Sequence, residues 1–242
     1  MTKESHSHNT QPRNHKGSII LDDRDLSTLI WVGEQNAVSL DHIRLLLGAC
    51  SKKSTKEHGM LSASAADQVL KLWRMLQLIQ QKKILASTPP WIWLTPFGLR
   101  ELDFDFKPFS PRFGALPHLH AINFVRMLTE KQAKDAEWIS QRSLLAEQLR
   151  RRSGENIPHI PDAEVIYQDA CYAIEVELTV KAHARLVSIL QELVQMYDFV
   201  FYYASEEAAQ AVHNALTELS ADEQKQVKIA LFEQCGYSVI GP

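Results

Sequence analysis

Two short β-type segments that bring three carboxylates to one end of a hairpin constrain this chain more than any other feature. The first, Asp162-Ala163-Glu164-Val165-Ile166-Tyr167, and the second, Tyr172-Ala173-Ile174-Glu175-Val176-Glu177-Leu178, flank Gln168-Asp169-Ala170-Cys171, which reads as a turn. Side chains alternate along a strand, so Glu175 and Glu177 share one face while Ile174, Val176 and Leu178 occupy the other. With Asp162 across from them, the cluster offers hard oxygen donors of the kind that Mg²⁺ or Mn²⁺ takes. The plainer alternative is a half-exposed hairpin with a solvated acidic face.

The flanking segments extend an α/β pattern. Pro117 opens a helix over 117–128, with Leu119, Ile122, Val125 and Leu128 on or near one side. Trp138-Ile139-Ser140 reads as a strand. Within 180–196, Leu186, Ile189, Leu190, Leu193 and Val194 recur at helical spacing, and Phe199-Val200-Phe201-Tyr202-Tyr203 reads as a buried strand. A helix over 206–219 and a strand over 227–232 follow.

The region before residue 110 reads differently. A helix over 22–35 carries Leu26, Leu29, Ile30 and Val32, and Ser39 caps a second helix through residue 47. Ser64, with Asp67 three residues on, caps a third whose stripe is Val69, Leu72, Trp73, Leu76 and Ile79. Segments 83–87 and 91–95 then pair across Thr88-Pro89-Pro90. Three helices followed by a β-hairpin is the order of a winged helix-turn-helix, whose third helix enters the major groove by its N-terminal half. That places Ser64, Gln68 and Lys71 near bases or phosphates, with Arg74, Lys52 and Lys53 adding positive charge.

Charge agrees with this placement. From residue 50 to 100 eight Lys and Arg face two acidic residues, a local balance of +6, whereas the whole chain carries −3. A basic patch on an acidic protein is an electrostatic footprint for double-stranded DNA, because phosphate contacts supply most non-specific affinity. A solvated helix face is the alternative. The long 50–61 connection departs from a standard helix-turn-helix, and a winged helix can equally bind protein.

At 242 residues with 45% hydrophobic content, the chain has room for two cores. The reading is α+β: a disordered tail over 1–17, a winged-helix DNA-binding domain over 18–102, a proline-interrupted linker over 103–116 and an α/β domain over 117–242. The polar tail has no signal-peptide core, and no run reaches membrane length. Cys50, Cys171 and Cys235 lack Cys-x-x-Cys spacing, which points to a reducing, cytoplasmic compartment. His118 and His120, two apart at a helix start, cannot share a face for a joint metal site, so capping or DNA-facing roles are expected. Trp91 and Trp93 are expected to pack in the wing and core, with base stacking as the alternative. Arg150-Arg151-Arg152 reads as a solvated loop beside the acidic face.

Pro161-Asp162 followed by Glu175-Val176-Glu177 resembles the PD-(D/E)XK nuclease superfamily, with Glu177 where the motif's lysine stands. The resemblance implies that Asp162 and Glu175 hold Mg²⁺ or Mn²⁺. It also implies that Glu177 binds metal or orients water, and that Lys181, one turn into the next helix, touches the scissile phosphate. Leu21-Asp22-Asp23-Arg24-Asp25-Leu26 near Trp31-Val32, Trp93-Leu94-Thr95 with Gly98-Leu99, His118-Leu119-His120-Ala121-Ile122-Asn123 and Tyr197-Asp198, in order with the hairpin motifs, are together similar to the replication-relaxation family over residues 20 to 232. That resemblance implies a plasmid or mobile-element DNA-binding protein, a winged helix before a PD-(D/E)XK restriction-endonuclease-like domain, and a homodimer or replication and mobilisation proteins as further partners. A non-catalytic regulator that uses the nuclease fold as a scaffold is the other expectation.

Overall fold

Short polar residues set the helix starts in the first half of the protein. Asp22 accepts the Asp25 N–H to begin α1 (Asp23–Glu34), and Ser39 accepts the His42 N–H to begin α2 (Leu40–Ala49), after the two-residue β1 (Val38–Ser39). The cap of α3 (Ala63–Met75) is Ser62, not Ser64. The chain then turns at Gln77, whose φ of 58° is left-handed and ends the helix before Ile79. Ile79 therefore lies on β2 (Ile79–Lys82), which pairs with β3 (Trp91–Leu94); the expected strand at 83–87 is part of the connection instead. β1 pairs with the other edge of β3, giving the order β1-β3-β2. Thr95 caps the short α4 (Pro96–Glu101), which packs so tightly that a Cβ on Gly98 would collide with the Leu78 carbonyl.

The computed structural model describes residues 21–51, 59–150 and 158–235. Lys52, Lys53, Arg151, Arg152 and the 1–17 segment lie outside the described residues. The protein is mixed α+β, and among the described residues no helix is long and apolar enough to cross a membrane.

The second half contains α5 (Leu116–Gln132), β4 (Glu137–Ser140), α6 (Gln141–Arg150), β5 (Ala163–Tyr167), β6 (Ala170–Glu177), α7 (His183–Met196), β7 (Phe199–Ala204), α8 (Glu206–Leu216), α9 (Ala221–Gln226) and β8 (Val227–Leu231). The sheet runs β4-β5-β6-β7-β8; the first three strands are antiparallel neighbours and the last three parallel. The β5–β6 turn is only Gln168-Asp169, both left-handed at φ 51° and 64°, as a tight hairpin turn requires. Ala163, Val165, Ile174 and Val176 pack toward α5, while Ala173, Val200 and Tyr202 pack under α7 and α8. β6 is thus central and covered on both faces: Ala173 through Glu177 are all buried, which overturns the solvated acidic face.

Within the segment expected as a linker, Phe104, Phe106 and Phe109 turn inward while the residues between them are exposed. Phe104 and Phe106 stack at 4.8 Å against the first core, and the Arg142 guanidinium sits 4.6 Å over Phe106 while donating to the Gly33 carbonyl at 2.6 Å. α5 ties the halves together. Buried Arg126 bonds Glu34 and Glu130, each at 2.7 Å, and lies 4.6 Å over Trp31; buried Asn123 donates to the Ala37 carbonyl at 3.0 Å. His120 stacks on His42 at 4.5 Å, so His120 is an interface residue rather than a cap or a DNA contact. Burial, with the neighbouring His120 charge, lowers the His42 pKa to about 3 and keeps that ring neutral.

Candidate functional site

Two clusters singled out from the sequence have opposite surroundings. On α3, Ser64, Gln68, Lys71 and Met75 follow at four, three and four residues, so they line one helix face, and all four are exposed. The opposite face buries Ala66, Leu70 and Trp73, and the Trp73 indole donates to Asp25 at 3.2 Å. Packing therefore fixes α3 by its apolar side and leaves the polar row to solvent. Arg74 is turned aside: it bonds Gln81 and lies 3.7 Å from Asp67. Trp91 and Trp93 are buried at 0% and 5% exposure, so neither offers a face for base stacking.

At the β5–β6 hairpin the polar residues are inside. Register places Ala163 opposite Ile174, which sets Asp162 opposite Glu175 on the face under α7. Asp162, Glu175 and Glu177 are 8%, 3% and 4% exposed, and buried charges need partners. Asp162 accepts from His118 Nε2 at 3.1 Å, from the Val176 N–H at 2.8 Å and from Gln141 Nε2 at 3.4 Å. Glu175 meets His159 Nε2 at 2.7 Å, and Glu192 fixes that histidine by accepting its backbone N–H at 2.6 Å. Glu177 pairs with Lys181, which precedes α7 rather than lying within it. Tyr202, in register with Glu175 on the next strand, buries a hydroxyl that has no hydrogen-bond partner among the described residues.

The electrostatics follow from burial. Burial pushes the Glu175 carboxyl above the ordinary glutamate range, with the charge of Asp162 in the same direction, against the His159 hydrogen bond. For His118 burial favours the neutral ring, but the hydrogen bond and charge of Asp162 outweigh it and raise the pKa. Burial, then the nearby Glu175 and Asp162, raise the Tyr202 phenol. His118 keeps 43% of its side chain exposed while a buried carboxylate orients it, a geometry suited to moving a proton at the surface. It is not a cap, since α5 begins without a side-chain cap.

The donor chemistry suits a hard cation in part. Asp162 and Glu175 offer carboxylates side by side, whereas Glu177 is committed to Lys181. Among the described residues, no group of three His, Cys, Asp or Glu is arranged to hold a metal ion. Gln141 and His159 are site residues that sequence reasoning missed, and His118 was singled out without its partner Asp162: His118 and His159 reach partners 44 and 16 positions away, and no motif marks such pairings. No family model, curated protein or solved structure gives a significant match to the chain.

Proposed function

We propose that the chain binds double-stranded DNA through a winged helix-turn-helix over 18–102, joined to a PD-(D/E)XK nuclease-like unit over 117–242. In this reading it acts on a plasmid or other mobile element in replication or relaxation. The observation that carries it is the exposed row Ser64, Gln68 and Lys71 on α3. That row stands in the element order α1-β1-α2-α3-β2-β3 with the sheet order β1-β3-β2, the arrangement that offers a third helix to the major groove. Lys71 would meet a phosphate, and Ser64 and Gln68 base edges or phosphates. Titrating a labelled duplex in a salt series tests it: Lys71→Ala weakens binding and makes the log–log salt slope shallower by about one unit. Identical slopes would remove α3 as the reader.

Cleavage is a second reading, favoured by Asp162 and Glu175 lying side by side in the sheet beside Lys181. Bound Mg²⁺ or Mn²⁺, held by Asp162 and Glu175, would supply water activation and charge neutralisation at a phosphate. His118, oriented by Asp162 and half open to solvent, would pass a proton, and Lys181 would lie near the phosphate once released from Glu177. The scaffold alternative draws on the internal pairing of all three carboxylates. Plasmid nicking with Mg²⁺ or Mn²⁺ and an EDTA control separates the two: an enzyme loses nicking in the Asp162→Asn, Glu175→Gln double variant, and a scaffold never nicks.

A further inference from the structure

The face of the second sheet opposite the acidic cluster carries a feature the reading above does not use. α5 covers this face over β4 to β6, but where the helix ends at Thr129, Gln132 and Ala133 it leaves a cavity of about 250 Å³. Its walls are the rings of Tyr167, Tyr172, Phe201 and Tyr203, over a floor of Val165 and Ile174. All four rings are only partly buried. Three of them are also braced: Tyr172 stacks on Phe199 at 5.2 Å and tilts against Phe201 at 5.9 Å, while Tyr203 meets Phe232 at 6.3 Å. Rings held in this way lose little freedom when a further ring joins them.

Size and charge select the occupant. The volume falls below the roughly 300 Å³ at which drug-sized sites begin, so it admits one ring system and not a docked helix. Lys228 is exposed and pairs in register with Phe201, which puts its side chain on the same face at the β8 end of the groove. Asp169, on the turn beyond Tyr167, sets the opposite sign at the far end. An aromatic slot with a cation at one end suits a base attached to a phosphate: the rings take the π-face and the ammonium the backbone charge.

We propose that the groove of Tyr167, Tyr172, Phe201 and Tyr203 holds one unpaired nucleobase of single-stranded DNA, with Lys228 on its phosphate. The inference extends the DNA-binding reading by giving the second half a single-strand contact of its own, on the side of the sheet away from Asp162. Stacking of this type tolerates any base, so little sequence preference is expected.

The test uses the full chain and a single-stranded oligonucleotide carrying 2-aminopurine, beside an abasic strand of equal length and a labelled duplex. Binding quenches the 2-aminopurine, and the base-bearing strand binds more tightly than the abasic one. Tyr172→Leu and Phe201→Leu, which keep apolar volume but remove a ring, each weaken the base-bearing strand about tenfold and leave the abasic strand unchanged. Tyr172→Phe restores the quench. Lys228→Ala weakens both strands and lowers the salt slope. Equal affinity for base-bearing and abasic strands, or a quench that survives both Leu variants, overturns the proposal. So does a dimer that the Leu variants abolish, since the groove is then a protein interface. Duplex binding without quenching removes this inference alone, and quenching without duplex binding removes the α3 reading alone.

Discussion

The polar row on α3 and the acidic end of the β5–β6 hairpin both look functional as strings of letters, but they lie on opposite sides of the solvent boundary. Ser64, Gln68 and Lys71 are exposed on a helix held by its other face, and Ser64 meets only the neighbouring Ser62 hydroxyl at 3.4 Å, so the row can meet a ligand without disturbing the core. Asp162, Glu175 and Glu177 are buried, each against a named base. Changing them is felt by the fold before it is felt by any ligand. A cluster of charge is thus read by what already holds it.

Buried charge elsewhere sharpens the contrast most. Arg126→Ala strips Glu34 and Glu130 of their shared cation at the contact between the halves, and a loss of about 3 kcal/mol is expected in urea denaturation. A loss below about 1 kcal/mol would mean that the halves do not depend on this contact. Next is Asp162→Ala, which orphans the buried Val176 N–H as well as His118, for about 2 kcal/mol. If Asp162→Ala leaves stability unchanged, the hairpin carboxylate is not a structural acceptor.

The stacked histidines give a smaller, pH-dependent effect. His42 has a folded pKa of about 3, below its ordinary 6.5, so the unfolded chain binds more protons between those values. Its contribution is full above pH 6.5 and is lost as the pH falls toward 3, at roughly 1.4 kcal/mol per pH unit. The raised pKa values of His118 and Glu175 act with the opposite sign. The difference between wild type and His42→Gln therefore isolates the effect: the variant's stability falls less on acidification, and parallel curves would refute it. Smallest is Lys71→Ala, expected to change stability by less than about 0.5 kcal/mol because its site is exposed.

Legibility in the sequence followed locality. Ser39 caps α2 where its place before the next apolar residues set it, and the alternation that set Glu175 and Glu177 on one face holds in the strand register. The end of α3 was not legible, because Leu76 and Ile79 continue its apolar period and the break comes from Gln77, a residue with no turn signature. α6 was missed because it buries no residue and so has no core stripe. The partners of the carboxylates were hidden for a different reason. His118 and His159 arrive from α5 and from the chain before β5, and only the assembled sheet brings them to Asp162 and Glu175.

The most direct measurement compares the two regions in one experiment: duplex affinity for wild type, the Gln68→Ala, Lys71→Ala double variant and Asp162→Asn, titrated side by side in one salt series. The account predicts that the α3 variant loses affinity, with a shallower salt slope, while Asp162→Asn binds as wild type does because its carboxylate lies off the α3 surface. Affinity lost in Asp162→Asn and retained in the α3 variant would contradict it.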